Sequence, residues 1–535
     1  MRWPSLFLPS RLFCLGSLGC LLSLGTLASV PVQSKDITLK VGIVQQFGNE
    51  DRDQLSLSGT GNDTLTFTLV NLAGQTQTLE GKQATITINR QGLSQPSLQE
   101  YLVLSDHATF ETAEDNAKQW RAKGIEVEVT QPERWQVWAK RSTYGSAGVR
   151  RWLLASLRSQ GYDFPYLASR MVSAKPQAIL VLNGQKYPTN SLTVSASKNQ
   201  IQVTEGQQKN QLYPGNLVLQ PNAYGNYTLV NQVPLEAYLR GVVPHEIGHN
   251  APANAARAQT IIARTYALRN LRRFAADNYE LCATTHCQVY YGLKDANPEA
   301  DKAIAATQGQ VLTYNNELVD ALYSSTTGGV TAKFSDVWNG ADRPYLKALI
   351  DSPQKVWDLA QNSLEQESAF RKFMSLQEGF NETGRKVFRW RYTASLKELT
   401  QDLKDYLAKR KHPLANFTTI QNMQVTRRSP SGRVLLLTVE TDRGPVELAK
   451  NEARSAFGPP RSTLFYLEPN YNNEKQLLGF TFVGGGLGHG VGMSQFGSYR
   501  LAQLGWSAEK ILEFYYPGTK IQSLNPRLVF WQDSP

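Results

Sequence analysis

Apolar and polar residues alternate through "ITLKVGIVQQ", "TLTFTLVNL" and "ATITIN", with turn-forming residues between the runs. A period of two predicts short strands with one buried face, here from Asp36 to about Leu98. The pattern then changes. "EYLVLSDHATFETAEDNAKQWRAKGIEVEVTQPERWQVWAKRSTYGSAGVRRWLLASLRSQGYDF" reads strand, helix, strand, then strand and helix again. The first helix is expected from Thr112 to a stop at Gly124. The second places Val149, Trp152, Leu153 and Leu157 on one face before Gly161 ends it. Two such halves predict a small βαβ-βαβ unit, ferredoxin-like in layout, over residues 99–175.

Strand patterns return at "AILVLNGQKY", "SLTVSA", "QIQVTEG" and "GNLVLQPNAYGNYTLVNQ". A helix-rich block follows from Val233 to Phe274, then strands around "QVLTYNNELVDALYSSTTGGV" and a polar helical stretch from about Ser352 to Lys411. Ser395 and Glu398 have the spacing of a capping box ahead of Leu399, Leu403 and Leu407, whose period predicts an inserted helix packing on a core. A mixed segment, Ile420 to Phe530, closes with two helices punctuated by Gly505 and by Pro517 with Gly518. The fold class expected is α+β.

The chain has 535 residues and is 41% apolar, which excludes a disordered protein and allows two to four domains. Lys and Arg number 56 against 45 acids, a net charge of +11. Such a surplus favours an anionic partner, whether nucleic acid, lipid head group or acidic wall polymer, without choosing among them. The N-terminus narrows the compartment. Arg2 and Arg11 flank the entry to "LFCLGSLGCLLSLGTLASV", and small residues follow at Ala28 and Ser29, so residues 1–30 read as a removed export signal. Gly and Ser interrupt the run and argue against a retained anchor helix. No other stretch is apolar and long enough to span a membrane. Gly19-Cys20 invites lipid attachment, but Ser17 is a poor residue three places earlier and the apolar run continues past the cysteine. Cys282 and Cys287 then remain, able to pair in an oxidising compartment.

"VVPHEIGHNAPANAARAQ" holds His245, Glu246 and His249 as H-E-x-x-H, the spacing of a zinc protease. That chemistry needs both histidines on one face of a continuous helix, and a third ligand. Pro244 precedes the motif, Gly248 lies inside it, and Pro252 would interrupt any continued helix at a cost of ~3 kcal/mol. The longer metzincin form wants Gly and His where Pro252 and Ala255 stand. His245 and His249 therefore read as solvent-facing or locally hydrogen-bonded loop histidines, and the zinc protease is the third-ranked reading.

The wider stretch "VNQVPLEAYLRGVVPHEIGHNAPANAARAQTIIARTYAL" is similar to the SpoIID/LytB family, with its V-N-x-x-P-L-E-x-Y-L-x-G-V-V-P-x-E and A-x-x-A-Q-A-x-x-A-R-T-Y-A patterns. "CATTHCQVYYG", "YSSTTGGVTAKFSDVWNG" and "GGGLGHGVGMSQFGSYRLAQLGWSAEKILEFYYPGT" follow in the family's order. The resemblance gives a SpoIID-like domain in two parts over 178–350 and 426–530, and leaves outside it the β-rich entry segment over 36–98 and the helical insert over 351–425 that the pattern predicts. The unit over 99–175 resembles, by pattern, the SPOR module, a family that binds glycan strands stripped of stem peptides.

The resemblance implies lytic cleavage of peptidoglycan glycan strands, or enhancement of an amidase as in the LytB branch. It makes Glu246 the catalytic carboxyl. Hydrolysis of a glycosidic bond normally takes two carboxyls, whereas a lytic transglycosylase uses one as acid and then base. Val242, Val243 and Ile247 offer the apolar surroundings that would keep such an acid protonated. His489 and Gln495, in a glycine-rich loop, are candidates to bond substrate or orient Glu246, and the glycines are read as letting backbone approach a sugar chain. Ser324, Ser325 and Thr326 are candidates for sugar hydroxyls, or simply stabilise a turn; Gln259 and Arg264 are candidates for a lactyl carboxylate or N-acetyl group, or tie their helix to the strands. Cys282, His286 and Cys287 form C-x-x-x-H-C, where some relatives hold zinc with one more histidine. "RRFAADNYEL" supplies none, so a disulfide is expected ahead of structural zinc, with no other cofactor. Expected partners are glycan strands and a wall amidase, not nucleic acid, and the expected location is the periplasm, the wall or outside the cell.

Overall fold

The computed structural model describes residues 37–207 and 210–531. The proposed export signal, with Cys20, lies outside them. Two sheets packed face to face make the first layer pair. One runs, in spatial order, Leu281–Cys282, Thr38–Phe47, Tyr227–Pro234, Asn216–Pro221, Ser191–Ala196, Leu65–Val70 and Thr76–Gly81. The other runs Gln211–Pro214, Gln200–Glu205, Gln54–Gly59 and Gln83–His107 before continuing into Trp135–Ala139 and Val127–Thr130. Alternation in sequence becomes alternation in burial: Leu65, Phe67 and Leu69 point inward and meet Leu55, Leu57 and Ile86.

Gln83–His107 is 25 residues long and pairs with Tyr166–Leu182 from Thr85–Val181 to Val103–Tyr166, with one irregularity between Gly92 and Ser97. The two strands leave the sandwich together and become an edge strand and its inner neighbour in the second unit. Its order is Tyr166–Leu182, Gln83–His107, Trp135–Ala139, Val127–Thr130, all antiparallel, with helices α1 (Phe110–Ala122) and α2 (Ala147–Ser159) in the connections. This is the ferredoxin-like arrangement that the pattern predicts. Ser146 caps α2, accepting from Val149 N–H, and Leu153, Leu154 and Leu157 are buried. Val149 and Trp152 instead face outward, Trp152 being 71% exposed, so the predicted apolar face of α2 is narrower than its sequence suggests.

The unit is not an appended bead. Phe110, Trp120 and Trp135 belong to the same buried cluster as Tyr266, Phe274, Leu322 and Met493. Arg272 pairs with Glu114 at 2.5 Å, and Arg273 with Glu111. α4 (Ala253–Arg269) gives Ala258, Ile261 and Ile262 to that cluster and Ala255, Ala263 and Ala267 to the sandwich core, where α3 (Leu235–Ile247) and α5 (Pro298–Ala306, capped by Asn297) also pack.

The stretch expected to be a helical insert contains α6 (Glu367–Ser375) and α7 (Leu396–Lys409), but also the strand Arg389–Ser395, which pairs with Leu477–Gly485. Ser395 and Glu398 form the reciprocal capping box at the start of α7. Leu399, Leu403 and Leu407 pack on Ile420, Val434, Leu437 and Phe482. A boundary at 425 therefore cuts through one core, and the inserted unit continues through α8 (Asn451–Ser455) to about 485. The chain then re-enters the main body as α9 (Gln495–Gln503) and α10 (Ala508–Tyr515). Among the described residues no helix is long and apolar enough to cross a membrane.

Candidate functional site

Leu235, Tyr238, Leu239, Val242, Val243 and Ile247 bury one side of α3 and fix its last turn. Gly248 ends it at φ 86, a conformation that a side chain would strain. The turn presents Glu246 to a cleft of about 650 Å³. Three segments far apart in sequence hold its carboxyl. Val289 N–H donates to Oε1 at 2.8 Å. Gln495 Nε2 donates to the backbone carbonyl at 2.6 Å and reaches Oε2 at 3.4 Å. The Tyr323 phenol adds a third hydrogen bond and itself accepts from Gln288 Nε2 at 3.0 Å. Tyr323 and Gln495 come together because Tyr323–Ser324 pairs in parallel with Met493–Ser494.

Burial pushes the Glu246 carboxyl above the ordinary carboxylic range, and the bonds from Val289, Gln495 and Tyr323 oppose that rise without cancelling it. Glu246 is thus an oriented carboxyl that keeps its proton at higher pH than a free one. The other carboxyl lining the cleft, Glu111, is neutralised by Arg273.

Ser324 and Ser325 line the same cleft, and the buried Ser324 Oγ has no hydrogen-bond partner among the described residues. Thr326 does not reach it: its Oγ1 accepts from Leu487 N–H at 2.8 Å and shapes the loop. His489 lines the cleft with its ring against Trp338, centroids 5.0 Å apart, while Nδ1 accepts from Val491 N–H at 3.0 Å. Burial, with Arg454 and Arg433 nearby, lowers its pKa to about 3, so it is a neutral loop-holder. Gln259 is fully buried inside α4. Arg264, also fully buried, forks onto Glu236 at 2.9 and 2.7 Å and bonds the Gln310 carbonyl at 3.0 Å. Neither lines the cleft, so the substrate contacts expected of them are corrected to internal packing and a tie between α3 and α4. The glycines of the C-terminal loop are corrected likewise. A Cβ at Gly490 would lie 2.2 Å from the Arg433 guanidinium and one at Gly492 2.0 Å from the Leu322 carbonyl, so these glycines admit the protein's own atoms.

Cys282 and Cys287 form a disulfide with Cα atoms 5.6 Å apart, which leaves neither sulfur a thiolate for zinc. His286 faces the cleft beside them. His245 lies within α3 rather than in a loop, its ring 5.0 Å from that of Tyr291. His249 is beyond the helix end, against Asn297 at 3.0 Å. The helix stops between the two, so they do not share the helical face a zinc protease needs. Among the described residues no group of three His, Cys, Asp or Glu is placed to hold a metal ion.

Several residues at the site carry no signal in a spacing motif: Tyr323, next to Ser324, Val289, two residues after Cys287, and the walls. One wall is Phe110, Glu111 and Trp135 from the ferredoxin-like unit; the opposite one is Asn451, Arg454 and Ser455 from the inserted unit.

The family model described as stage II sporulation protein matches residues 223–314, which include α3, α4 and Glu246. Over these residues the chain is similar to the SpoIID/LytB family. A second model, described as a domain of unknown function, matches residues 332–492 and takes in the inserted unit. The amidase enhancer of Bacillus subtilis (strain 168) is 31% identical over 306 residues, 53% of this chain and 40% of that protein. Stage II sporulation protein D of Bacillus amyloliquefaciens is 28% identical over 307 residues, 55% of this chain and 75% of that protein. The same-named protein of Bacillus subtilis (strain 168) is 26% identical over 308 residues, again 55% and 75%. The SpoIID/LytB model stops before Tyr323 and Gln495, so two of the three groups that hold Glu246 come from outside it.

Proposed function

We propose that this SpoIID/LytB-like protein acts outside the cytoplasm on the bacterial cell wall, as a lytic transglycosylase on peptidoglycan glycan strands. The observation that carries the reading is a single carboxyl, Glu246, raised in pKa and held by three donors at a cleft whose other carboxyl is ion-paired. One such group suffices for intramolecular cleavage. Protonated Glu246 gives its proton to the leaving glycosidic oxygen as the bond from the muramyl anomeric carbon breaks. The sugar's own 6-hydroxyl attacks that carbon, and the carboxylate takes the hydroxyl proton. The products are a new free 4-hydroxyl on one fragment and a 1,6-anhydro end on the other, with Glu246 protonated again. Ser325, which lines the same cleft and is less buried than Ser324, is available to a sugar hydroxyl or N-acetyl oxygen.

The ferredoxin-like unit, SPOR-like in pattern, serves in this reading as a wall of the glycan cleft. The relative named amidase enhancer favours a second reading, a strand-binding protein that assists an amidase. Purified glycan strands incubated with the protein separate the two. Anhydro-muramyl ends, detected by mass, support cleavage; binding without new ends, with faster release of stem peptides by an added amidase, supports the second.

A further inference from the structure

The wall contributed by the inserted unit is short but firmly set. Glu452 on α8 accepts from Arg134 of the ferredoxin-like unit at 3.4 Å and from Arg410 of α7 at 3.0 Å. Lys450, just before α8, sits at φ 50, and its ammonium bonds the Trp338 carbonyl at 2.7 Å and Asn339 Oδ1 at 3.0 Å. These ties aim the next turn, with Arg454, into the cleft that Glu246 faces.

Arg454 differs from the other arginines around it. Arg273 is paired with Glu111, Arg134 and Arg410 share Glu452, and Arg433 donates to the Thr327 and Val330 carbonyls at 2.7 and 2.9 Å. Among the described residues no carboxylate lies within ion-pair distance of Arg454. Burial and the like-charged Arg461 both act against its proton, and nothing acidic offsets them. A partly buried guanidinium beside a second one, lining a cleft and left without an anion, is an unfilled half of an ion pair.

We infer that Arg454 recognises a carboxylate carried by the wall polymer, and that the region of unassigned function over residues 332–492 supplies this anion subsite to the SpoIID/LytB cleft. The inference rests on the saccharide reading of the cleft. Guanidinium suits the task, because its planar fork matches the two oxygens of a carboxylate. Two sources present that group: the lactyl ether of a muramyl sugar freed of its stem peptide, and the acidic residues of a stem peptide still attached.

The test reads binding rather than cleavage, using the full protein with Glu246→Gln so that strands stay whole. Four ligands are compared: strands stripped of stem peptides and strands bearing them, each before and after conversion of carboxylates to methylamides. Chito-oligosaccharides, which have no carboxylate, are the control. The parent is expected to prefer free carboxylates over amides by about tenfold or more, and the preference should weaken as salt rises. Arg454→Gln should abolish that preference and leave chito-oligosaccharide binding unchanged, while Arg454→Lys keeps part of it. A preference confined to stripped strands assigns the lactyl group; one confined to peptide-bearing strands assigns the stem peptide. Equal parental binding to free and amidated strands overturns the assignment without needing any Arg454 variant to fold. So does Arg454→Gln that retains the preference. Absence of strand binding by the parent overturns both this subsite and the saccharide reading.

Discussion

The Gln495 carboxamide donates to the Glu246 backbone carbonyl at 2.6 Å and reaches its carboxyl at 3.4 Å, across a sequence separation of 249 residues. One side chain thus fixes both the end of α3 and the orientation of the acid it carries. A carboxyl held this way can deliver a proton along one direction without first reorganising.

Glu246→Gln keeps the shape and most of these bonds but has no proton to give. Strand cleavage is expected to fall by at least ~100-fold, with strand binding retained. Glu246→Asp should fail nearly as badly, since the shorter arm withdraws the acid from the cleft. Parental cleavage by folded Glu246→Gln, measured as anhydro-muramyl ends, would assign the chemistry elsewhere.

Tyr323→Phe removes a hydrogen bond that lowers the Glu246 pKa. Without it the pKa rises further, so the protonated acid survives to higher pH. The alkaline limb of the pH profile for cleavage should move upward, while a merely structural role for the phenol would lower the rate at every pH. Measuring kcat against pH for both proteins decides it.

Replacing His245 and His249 together by Gln removes the motif that resembles a zinc site. Because their rings face Tyr291 and Asn297 rather than the Glu246 carboxyl, cleavage should stay within about tenfold of the parent, under ~1.4 kcal/mol in barrier. A larger loss accompanied by loss of bound zinc would revive the metal reading.

Asp351 and Glu382 are both fully buried and both lie 2.9 Å from Thr327 Oγ1, while Glu382 also accepts from the Gly328 N–H at 2.9 Å. Burial and the neighbouring Glu382 charge raise the Asp351 pKa, so this pair retains a proton in the folded state. A raised folded-state pKa contributes stability that is complete below the unfolded value and lost as pH rises through the folded one. Thermal stability should therefore decline with rising pH in the parent and decline less in Asp351→Asn. Identical slopes for the two proteins would dismiss the shared proton.

Phe110→Ala should destabilise the whole protein by about 3–5 kcal/mol, because its ring packs edge-on to Trp135 at 5.0 Å within the core that also holds Phe274. A single cooperative denaturant transition shifted to lower concentration is the expected result. Two separated transitions would mean that the ferredoxin-like unit unfolds by itself.

Glu246 was legible as a candidate only through the family resemblance, whose pattern ends on that glutamate, while Pro244, Gly248 and Pro252 argued only against a zinc helix. The strand and helix order of the ferredoxin-like unit was legible from its change of period. Its fusion with the main core was not, since Phe110 and Trp120 give the same amphipathic signal whether they meet their own sheet or a neighbouring helix. The helix Leu396–Lys409 was announced by its capping box and leucines, but the strand beside it depends on pairing Arg389–Ser395 with Leu477–Gly485, a partnership that local propensity cannot display. Arg264 misled for a related reason. An arginine on a helix looks available until the half-buried Glu236 opposite it is known.

The contact between Glu246 and Gln495 also sets an order of events during synthesis. A chain emerging from its N-terminus can complete α3 and α4 while Gln495 is still to be made. Until that late segment arrives and docks, the acid lacks one of its three donors and the adjoining strand pair is unformed. On the proposed reading the newborn molecule stays unarmed until residue 495 has been made and docked, and fragments truncated ahead of it should not cleave glycan strands.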